Sequence, residues 1–580
     1  AESRRNVRIP RHKDIPGNIQ KKDEHAAEAV HSQSGKRKSV TDKISHNFLF
    51  FANFAFHFNL RNNKHMKKLM QAALCALLLT GTGTSAARNA TVSLHADQAR
   101  DTISRMIYGQ FAEHLGACIY GGIWVGEDSP IPNTRGYRND AIKAVRDLGV
   151  PVLRWPGGCF ADDYHWRDGI GPRDKRPTLI NNNWGGTKED NSFGTHEFLD
   201  FCELVGTEPY VSGNVGSGTV GEMAQWVEYM TAEDGPMAKE RQANGRKEPW
   251  KVKYFGIGNE SWGCGGNMRP EYYSDIYRRY STYARDRAGN RLYRIASGAS
   301  DYDYNWTETL MKRIQPHRMD GLSLHYYTVM SWDDKGSATQ FDERRYYETI
   351  GKCLEIEPVI ERHIEIMDRY DRNRQTDLLV DEWGTWWDEE PGSVPGHLYQ
   401  QNTMRDAMVA ALTLNVFHRH ADRIHMANIA QVANVLQAMW LTDGDKLILT
   451  PTYHVFRMYA PHKDAVSIPL SVACETIKDA NGRPVPTLAA TASRAADGSV
   501  AICLTNPMLD ENCEVDIALP DAVPSKISSA EILTSAKISD MNTFEAPETV
   551  KPQACDGAKI KKGHLMIKMP KASIVALTLR

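Results

Sequence analysis

The 580-residue chain is 41% hydrophobic, 9% aromatic and 24% charged, the profile of a globular protein with ample apolar material for a core. Its 70 Lys+Arg against 72 Asp+Glu leave a formal net charge of −2, so no broad basic field exists to attract nucleic acid or an anionic membrane. Ten cysteines are too dilute for a disulfide scaffold and none are spaced Cys-x-x-Cys, which excludes zinc-finger and thioredoxin-like readings.

Residues 1–65 are polar and basic, then aromatic from Phe48 to Phe58, with no helical or strand period. They read as non-native upstream sequence or a disordered segment. Met66-Lys67-Lys68, the apolar run Leu69–Leu79 and the small-residue stretch Thr80–Ala87 have the plan of a secretory signal peptide over 66–87. The run is too short to span a membrane. This segment predicts a periplasmic or secreted protein with no membrane span.

From Arg105 onward, short apolar segments alternate with longer amphipathic ones. The strand candidates are Met106–Phe111, Val150–Trp155, Glu208–Asn214, Val252–Gly258, Arg294–Ser297, Gly321–Tyr326, Asp377–Asp381 and Arg423–Ala430. Between them lie helical patterns with apolar spacings of three and four, among them Asp140–Leu148, Phe193–Leu204, Val220–Tyr229, Tyr272–Arg285, Glu343–Tyr370 and Gln401–Phe417. Eight such units predict an α/β fold, a (β/α)8 TIM barrel over 105–458. A doubly wound open sheet is the alternative, but no GxGxxG follows the first strand and no GxxxxGK[ST] occurs. After Tyr459 the runs shorten and alternate (Leu488–Ala492, Ser499–Thr505, Cys513–Leu519, Ser573–Leu579), which predicts an antiparallel β-sandwich domain over 459–580. The segment 88–104 holds one strand without a following helix, assigned to the same sandwich.

A barrel puts its active site at the C-terminal ends of its strands. Read in turn, those ends carry Gln110 and Glu113-His114, Arg154-Trp155 and Cys159, Asn214, Asn259-Glu260 and Trp262, Ser300-Asp301, His325-Tyr326-Tyr327, Asp381-Glu382-Trp383, and Asn428 with Gln431. Carboxylates, amides, an arginine and aromatics on one rim suit a neutral polyol: the amides and charges bind hydroxyls, and Trp and Tyr offer apolar platforms. Glycoside hydrolysis uses two carboxyl groups. Glu260 and Glu382 end buried apolar runs three βα units apart, where a carboxylate has little structural purpose. His114 and His325 are isolated, without HxH or HExxH, and are assigned to hydrogen-bonded packing; no metal and no cofactor is demanded.

Five blocks then carry a resemblance: Gly109-Gln-Phe-Ala-Glu113-His-Leu-Gly, Leu153-Arg154-Trp-Pro-Gly-Gly158, Gly256-Ile-Gly-Asn259-Glu260, Ser323-Leu-His325-Tyr-Tyr327 and Asp381-Glu382-Trp-Gly. In this order they resemble glycoside hydrolase family 51, the α-L-arabinofuranosidases, from about residue 90 to 580. The resemblance implies a retaining, exo-acting enzyme that releases terminal L-arabinofuranose from arabinose-containing poly- or oligosaccharides. Glu260 would be the acid/base and Glu382 the nucleophile. Glu113, Arg154, Asn259, Trp262, Tyr327 and Gln431 would bind substrate or orient the nucleophile, with Tyr326 as a rival to Tyr327; Asn214 is added as a substrate ligand from its place at the end of the third strand alone. Many members carry Asn as a sugar ligand where Cys159 stands. Cys159 is placed at the sugar, but a thiol is a weak donor and acceptor, so one hydroxyl contact is lost or remade by another group and the fine specificity is open. An endo-β-glucanase of the same family and a non-catalytic sugar-binding protein are the alternatives. Long βα insertions (Ile170–Asn191, Trp332–Gln340, Thr385–His397) favour a closed pocket over an open cleft. The resemblance leaves room for a homo-oligomer.

Overall fold

The computed structural model describes residues 87–287 and 289–580. The leader-like segment, Ala87 apart, and all of 1–65 lie outside the described residues. Eight parallel strands, Gly109–Phe111, Val152–Trp155, Glu208–Gly213, Tyr254–Ile257, Tyr293–Ser300, Gly321–Thr328, Asp377–Thr385 and Ile424–Ala430, close into a barrel in sequence order. The expected TIM barrel is therefore present. Each strand is almost wholly buried because helices cover its outer face and side chains fill the lumen. The lumen floor is apolar: Val152, Tyr210, Tyr254, Ile295, Leu379 and Met426 form one cluster there.

Helices start where their sequences supply caps. Thr219 caps Val220–Thr231 and pairs with Glu222 in a capping box, and Thr403 does the same with Asp406 for Met404–Arg419. The predicted helix Glu343–Tyr370 is two helices, Glu343–Leu354 and Ile356–Tyr370. Pro358 explains the break, because it offers no N–H to the carbonyl four residues earlier and its ring crowds that turn.

Beyond residue 465 two antiparallel-rich sheets face each other around their own core of Val92, Val515, Ile517, Ile502, Leu504 and Leu577. The strand Arg88–Leu94 lies inside the five-stranded sheet, antiparallel to Leu470–Ala473 and parallel to Cys513–Ala518. Met404–Arg419 is buried along its length apart from its last residue and packs on the sandwich strand Ala489–Arg494. His418 Nδ1 meets Thr491 Oγ1 at 2.9 Å across that boundary. The barrel is thus anchored to the sandwich through this helix.

Candidate active site

Above the apolar floor comes a charged layer. Arg154, on the second barrel strand and 1% exposed, lies 4.5 Å from the centre of the Phe111 ring. Its guanidinium donates to the Asp381 carbonyl (2.6 Å), to Glu382 Oε2 (3.2 Å) and to Asn259 Oδ1. Burial opposes its charge, but Asp381 and the neighbouring carboxylates raise its pKa further. Tyr210 donates to Asp381 Oδ2 at 2.7 Å.

Glu382 sits within the seventh strand rather than after it, held on its other oxygen by the Tyr327 hydroxyl at 2.7 Å. Tyr326 points away and donates to the Lys352 carbonyl. The alternation of side chains along a strand thus assigns the contact to Tyr327.

Glu260 follows a tight bend. Gly258 has φ +88°, and a Cβ there would lie 2.5 Å from Val215 Cγ2, so no side chain fits. Glu260 itself has φ +39°, a left-handed conformation that a non-glycine residue keeps only when its surroundings enforce it. Asp162 supplies part of that enforcement: one oxygen accepts from Val215 N (2.7 Å) and Gly216 N (2.9 Å), and the other from Asn259 N (2.7 Å).

His325 is the residue that the sequence reading undervalued. Its Nδ1 lies 2.8 Å from Glu260 Oε1 and 3.5 Å from Glu382 Oε2, and its Nε2 lies 3.3 Å from Asp381 Oδ1. Burial alone would lower its pKa, but Glu382, Asp381 and Glu260 outweigh burial and raise it to about 10. Two cations, Arg154 and His325, therefore face four buried carboxyl groups: Glu113, Glu260, Asp381 and Glu382. The shortfall in positive charge favours protons on some of them. Burial and then Glu382 push Glu113 up to about 7, and burial raises Glu260 despite His325 beside it. Asp381 moves the other way, because Arg154 and His325 outweigh its burial.

The pocket above this layer encloses about 280 Å³ and is lined by Glu113, Cys159, Glu260, Tyr327, Glu382 and Gln431 at its base. Glu113 accepts from Phe160 N (3.1 Å), Trp184 Nε1 (3.0 Å) and Gln431 Nε2 (3.0 Å). Asn259 Nδ2, Gln431 Oε1 and Trp262 Nε1 are buried without a partner among the described residues, and so remain available to hydroxyl groups. The rim is aromatic, and the long insertions provide it: Trp184, Trp332 and Trp386 line the pocket with Trp262. Trp386 packs edge-on to Tyr327 at 4.9 Å and to Trp332 at 5.2 Å.

Two expected site residues stand differently. Asn214 does not line the pocket: its amide donates to Tyr164 O and Ser217 Oγ and accepts from Ser217 N and Gly218 N, a turn that uses all its capacity. Cys159 does reach the pocket but is no thiol; it forms a disulfide with Cys264. His114 is enclosed, accepting from Trp155 Nε1 through Nε2 and meeting Glu189 through Nδ1. Glu260, His325 and Glu382 also bring three ligand atoms within 4.8 Å of one another. The charge a cation would supply there is already carried by the imidazolium.

The α-L-arabinofuranosidase 1 domain matches residues 144–346, and the α-L-arabinofuranosidase C-terminal domain matches 381–573. An intracellular exo-α-L-arabinofuranosidase of Bacteroides ovatus is 60% identical over 507 residues, 87% of this chain and 98% of the relative. The α-L-arabinofuranosidase C of Emericella nidulans is 30% identical over 450 residues, covering 74% of this chain and 87% of its own. Among solved structures, the family 51 arabinofuranosidase of Xanthomonas axonopodis pv. citri matches with a TM-score of 0.83 at 49% identity, over 85% of this chain and all of the other. An arabinose complex of the Thermotoga maritima α-L-arabinofuranosidase matches with a TM-score of 0.74 at 30% identity, over 84% and 99%. One expectation is overturned: the Bacteroides relative is intracellular, against the periplasmic or secreted location read from residues 66–87. A short apolar run after a basic start is a weak address, and no helix among the described residues is long and apolar enough to cross a membrane. With 60% identity to the Bacteroides relative over 87% of its length and both domain matches in place, the chain belongs to the α-L-arabinofuranosidases of glycoside hydrolase family 51.

Proposed function

We propose that this chain removes terminal L-arabinofuranose from arabinose-containing saccharides by a retaining double displacement. The observation that carries the reading is the approach of Glu260 and Glu382: oxygens of the two carboxyl groups lie within 4.8 Å of each other at the base of a pocket for one sugar. Carboxyl groups this close leave no room for a water between them and the sugar, as an inverting reaction would need; a separation of about 5 Å marks a nucleophile and an acid/base.

Glu382, aimed by Arg154 and Tyr327, attacks the anomeric carbon. Glu260, kept protonated by burial, gives its proton to the glycosidic oxygen, and the aglycone leaves as an alcohol. A glycosyl ester on Glu382 remains. Glu260 then takes a proton from water as the water oxygen attacks the same carbon, and Glu382 departs as carboxylate. Glu113, Gln431 and Asn259 hold the furanose hydroxyls. The closed pocket supports exo action over cleavage within a chain. A place inside the cell, as in the Bacteroides relative, makes short oligosaccharides the substrate rather than intact wall polymer.

The test is turnover of 4-nitrophenyl α-L-arabinofuranoside against the xyloside and glucoside, with the first-formed anomer read by NMR. Retained α-arabinofuranose is expected. Glu382→Ala is expected to be inactive and to yield the inverted azide adduct when azide is added. Inverted product from the wild type, or turnover of glucosides alone, overturns the proposal.

A further inference from the structure

The pocket wall contains the disulfide Cys159–Cys264, which joins the loop after the second strand to the loop that carries Glu260; the two Cα atoms are 5.4 Å apart. Cys264 Sγ stands 3.6 Å from Glu260 Oε2, and both sulfurs and a Glu260 oxygen lie within 4.8 Å of one another. Cys264 is exposed and Cys159 half-buried, so a small reductant reaches the bond from the pocket mouth. The remaining cysteines among the described residues are free, and all but Cys474 are buried. A single accessible disulfide placed against the acid/base carboxyl is poorly suited to be a general staple.

We propose that Cys159–Cys264 is a reversible thiol–disulfide site that controls Glu260, an inference that rests on the acid/base role given to Glu260 above. A dithiol reductant attacks one sulfur through its thiolate and forms a mixed disulfide, and its second thiol completes the exchange. The S–S bond breaks, two electrons and two protons pass to Cys159 and Cys264 as thiols, and the reductant leaves as its own disulfide. In a compartment where thiols are kept reduced, an accessible bond of this kind acts as a sensor.

Reduction changes the surroundings of Glu260 in two ways. A disulfide sulfur has no proton, so Glu260 Oε2 faces a non-donor in the oxidised state. A Cys264 thiol there is a weak donor to the carboxylate and favours its charged form. The loop also loses its covalent tie, while the hydrogen bond from Asn259 N to Asp162 remains. The other groups facing Glu260 are His325 from the sixth strand, Glu382 from the seventh and Arg154 from the second. None of them changes on reduction, so an altered titration of Glu260 reports the thiols.

The experiment compares the full chain as oxidised, as reduced with dithiothreitol and as reoxidised, with the thiol state read by mass after alkylation under denaturing conditions. Values of kcat/KM are measured against pH on an arabinofuranosyl oligosaccharide, whose leaving group needs a proton, and on 4-nitrophenyl α-L-arabinofuranoside, whose leaving group needs little. Reduction is expected to lower kcat/KM on the oligosaccharide about tenfold or more, within the range a general acid contributes. The basic limb is expected to move to lower pH, the aryl substrate to change far less, and reoxidation to restore both. Cys264→Ser should behave as the reduced enzyme and ignore dithiothreitol. A bond that resists the reductant in the folded enzyme, or identical pH profiles in two verified thiol states, overturns the proposal. Turnover of both substrates by the oxidised enzyme tests the arabinofuranosidase reading separately.

Discussion

Asp162→Asn isolates how the backbone of the acid/base loop is held. Asp162 is buried and accepts three backbone N–H groups, two on Oδ1 from Val215 and Gly216 and one on Oδ2 from Asn259. An amide replaces one of these acceptors with an NH2 group. Whichever way it is turned, donor faces donor on one side, and one or two buried N–H groups lose their partner. Each loss costs about 1–3 kcal/mol. The favoured orientation keeps the pair of bonds on Oδ1 and releases Asn259 N, so the penalty falls on the residue before Glu260. A displacement of about 1 Å at a reacting group costs on the order of 100-fold in rate. The expected outcome is a fall in kcat/KM of about 10- to 100-fold on an oligosaccharide, with a smaller fall on a good-leaving-group aryl glycoside. Thermal unfolding followed by circular dichroism separates this from general loss of fold. The reasoning fails if Asp162→Asn keeps wild-type kcat/KM on both substrates, since the disulfide would then hold the loop alone. Reduction of Cys159–Cys264 in the variant should cost more than the two changes taken separately, because both act on one loop.

Tyr327→Phe removes the donor to Glu382 Oε1 while leaving the ring against Trp386. A hydrogen bond to a charged group contributes about 1.5–3 kcal/mol, so kcat/KM should fall between about 10- and 150-fold; a fall below threefold would remove Tyr327 from the nucleophile's support. Burial raises the Glu260 pKa, so the basic limb of kcat/KM is expected above the ordinary carboxylate value. A limb near pH 4.5 in a kcat/KM profile would contradict the proton-donor role. His325 has its folded pKa raised to about 10 from an ordinary 6.5, so its contribution to stability is complete below pH 6.5 and is lost as pH rises toward 10. His325→Gln should therefore lower the thermal midpoint at pH 7 and flatten its decline between pH 7 and 10; an unchanged slope would show that His325 is neutral in the native state.

The parts of this site that were legible in the chain are those set by one strand end at a time. Glu113, Arg154, Glu260, Tyr327, Glu382 and Gln431 each close an apolar run, and the barrel brings such ends together whatever the loop lengths. The relations between loops were not legible. Asp162 and Asn259 are 97 residues apart, and nothing in a solitary buried aspartate announces three backbone partners. Cys159 and Cys264 are separated by 105 residues, and with ten cysteines the pairings are too many for spacing to choose among them. Asn214 stands at the correct strand end, but position on a strand does not fix where an amide's hydrogen bonds go, and the turn at Ser217 takes them.

His325 shows why residue-by-residue weighing has a limit. Taken alone, a histidine at the end of a buried strand is better read as packing than as machinery. Its role follows from a charge balance that exists only after folding, when one imidazole meets Glu260, Asp381 and Glu382 at once. Without its positive charge, Arg154 alone would face four carboxyl groups, and Glu382 would share its low-dielectric pocket with an uncompensated neighbour. With it, Asp381 and Glu382 have cationic partners, and the deficit is pushed onto Glu260 and Glu113, the two carboxyl groups whose pKa values rise. The division of labour proposed for Glu260 and Glu382 is thus a property of the whole charged layer. Asp381, which accepts from Tyr210 and binds Arg154 through its carbonyl, and Asp162, which holds Asn259 N, support the proposed pair from outside the pocket lining.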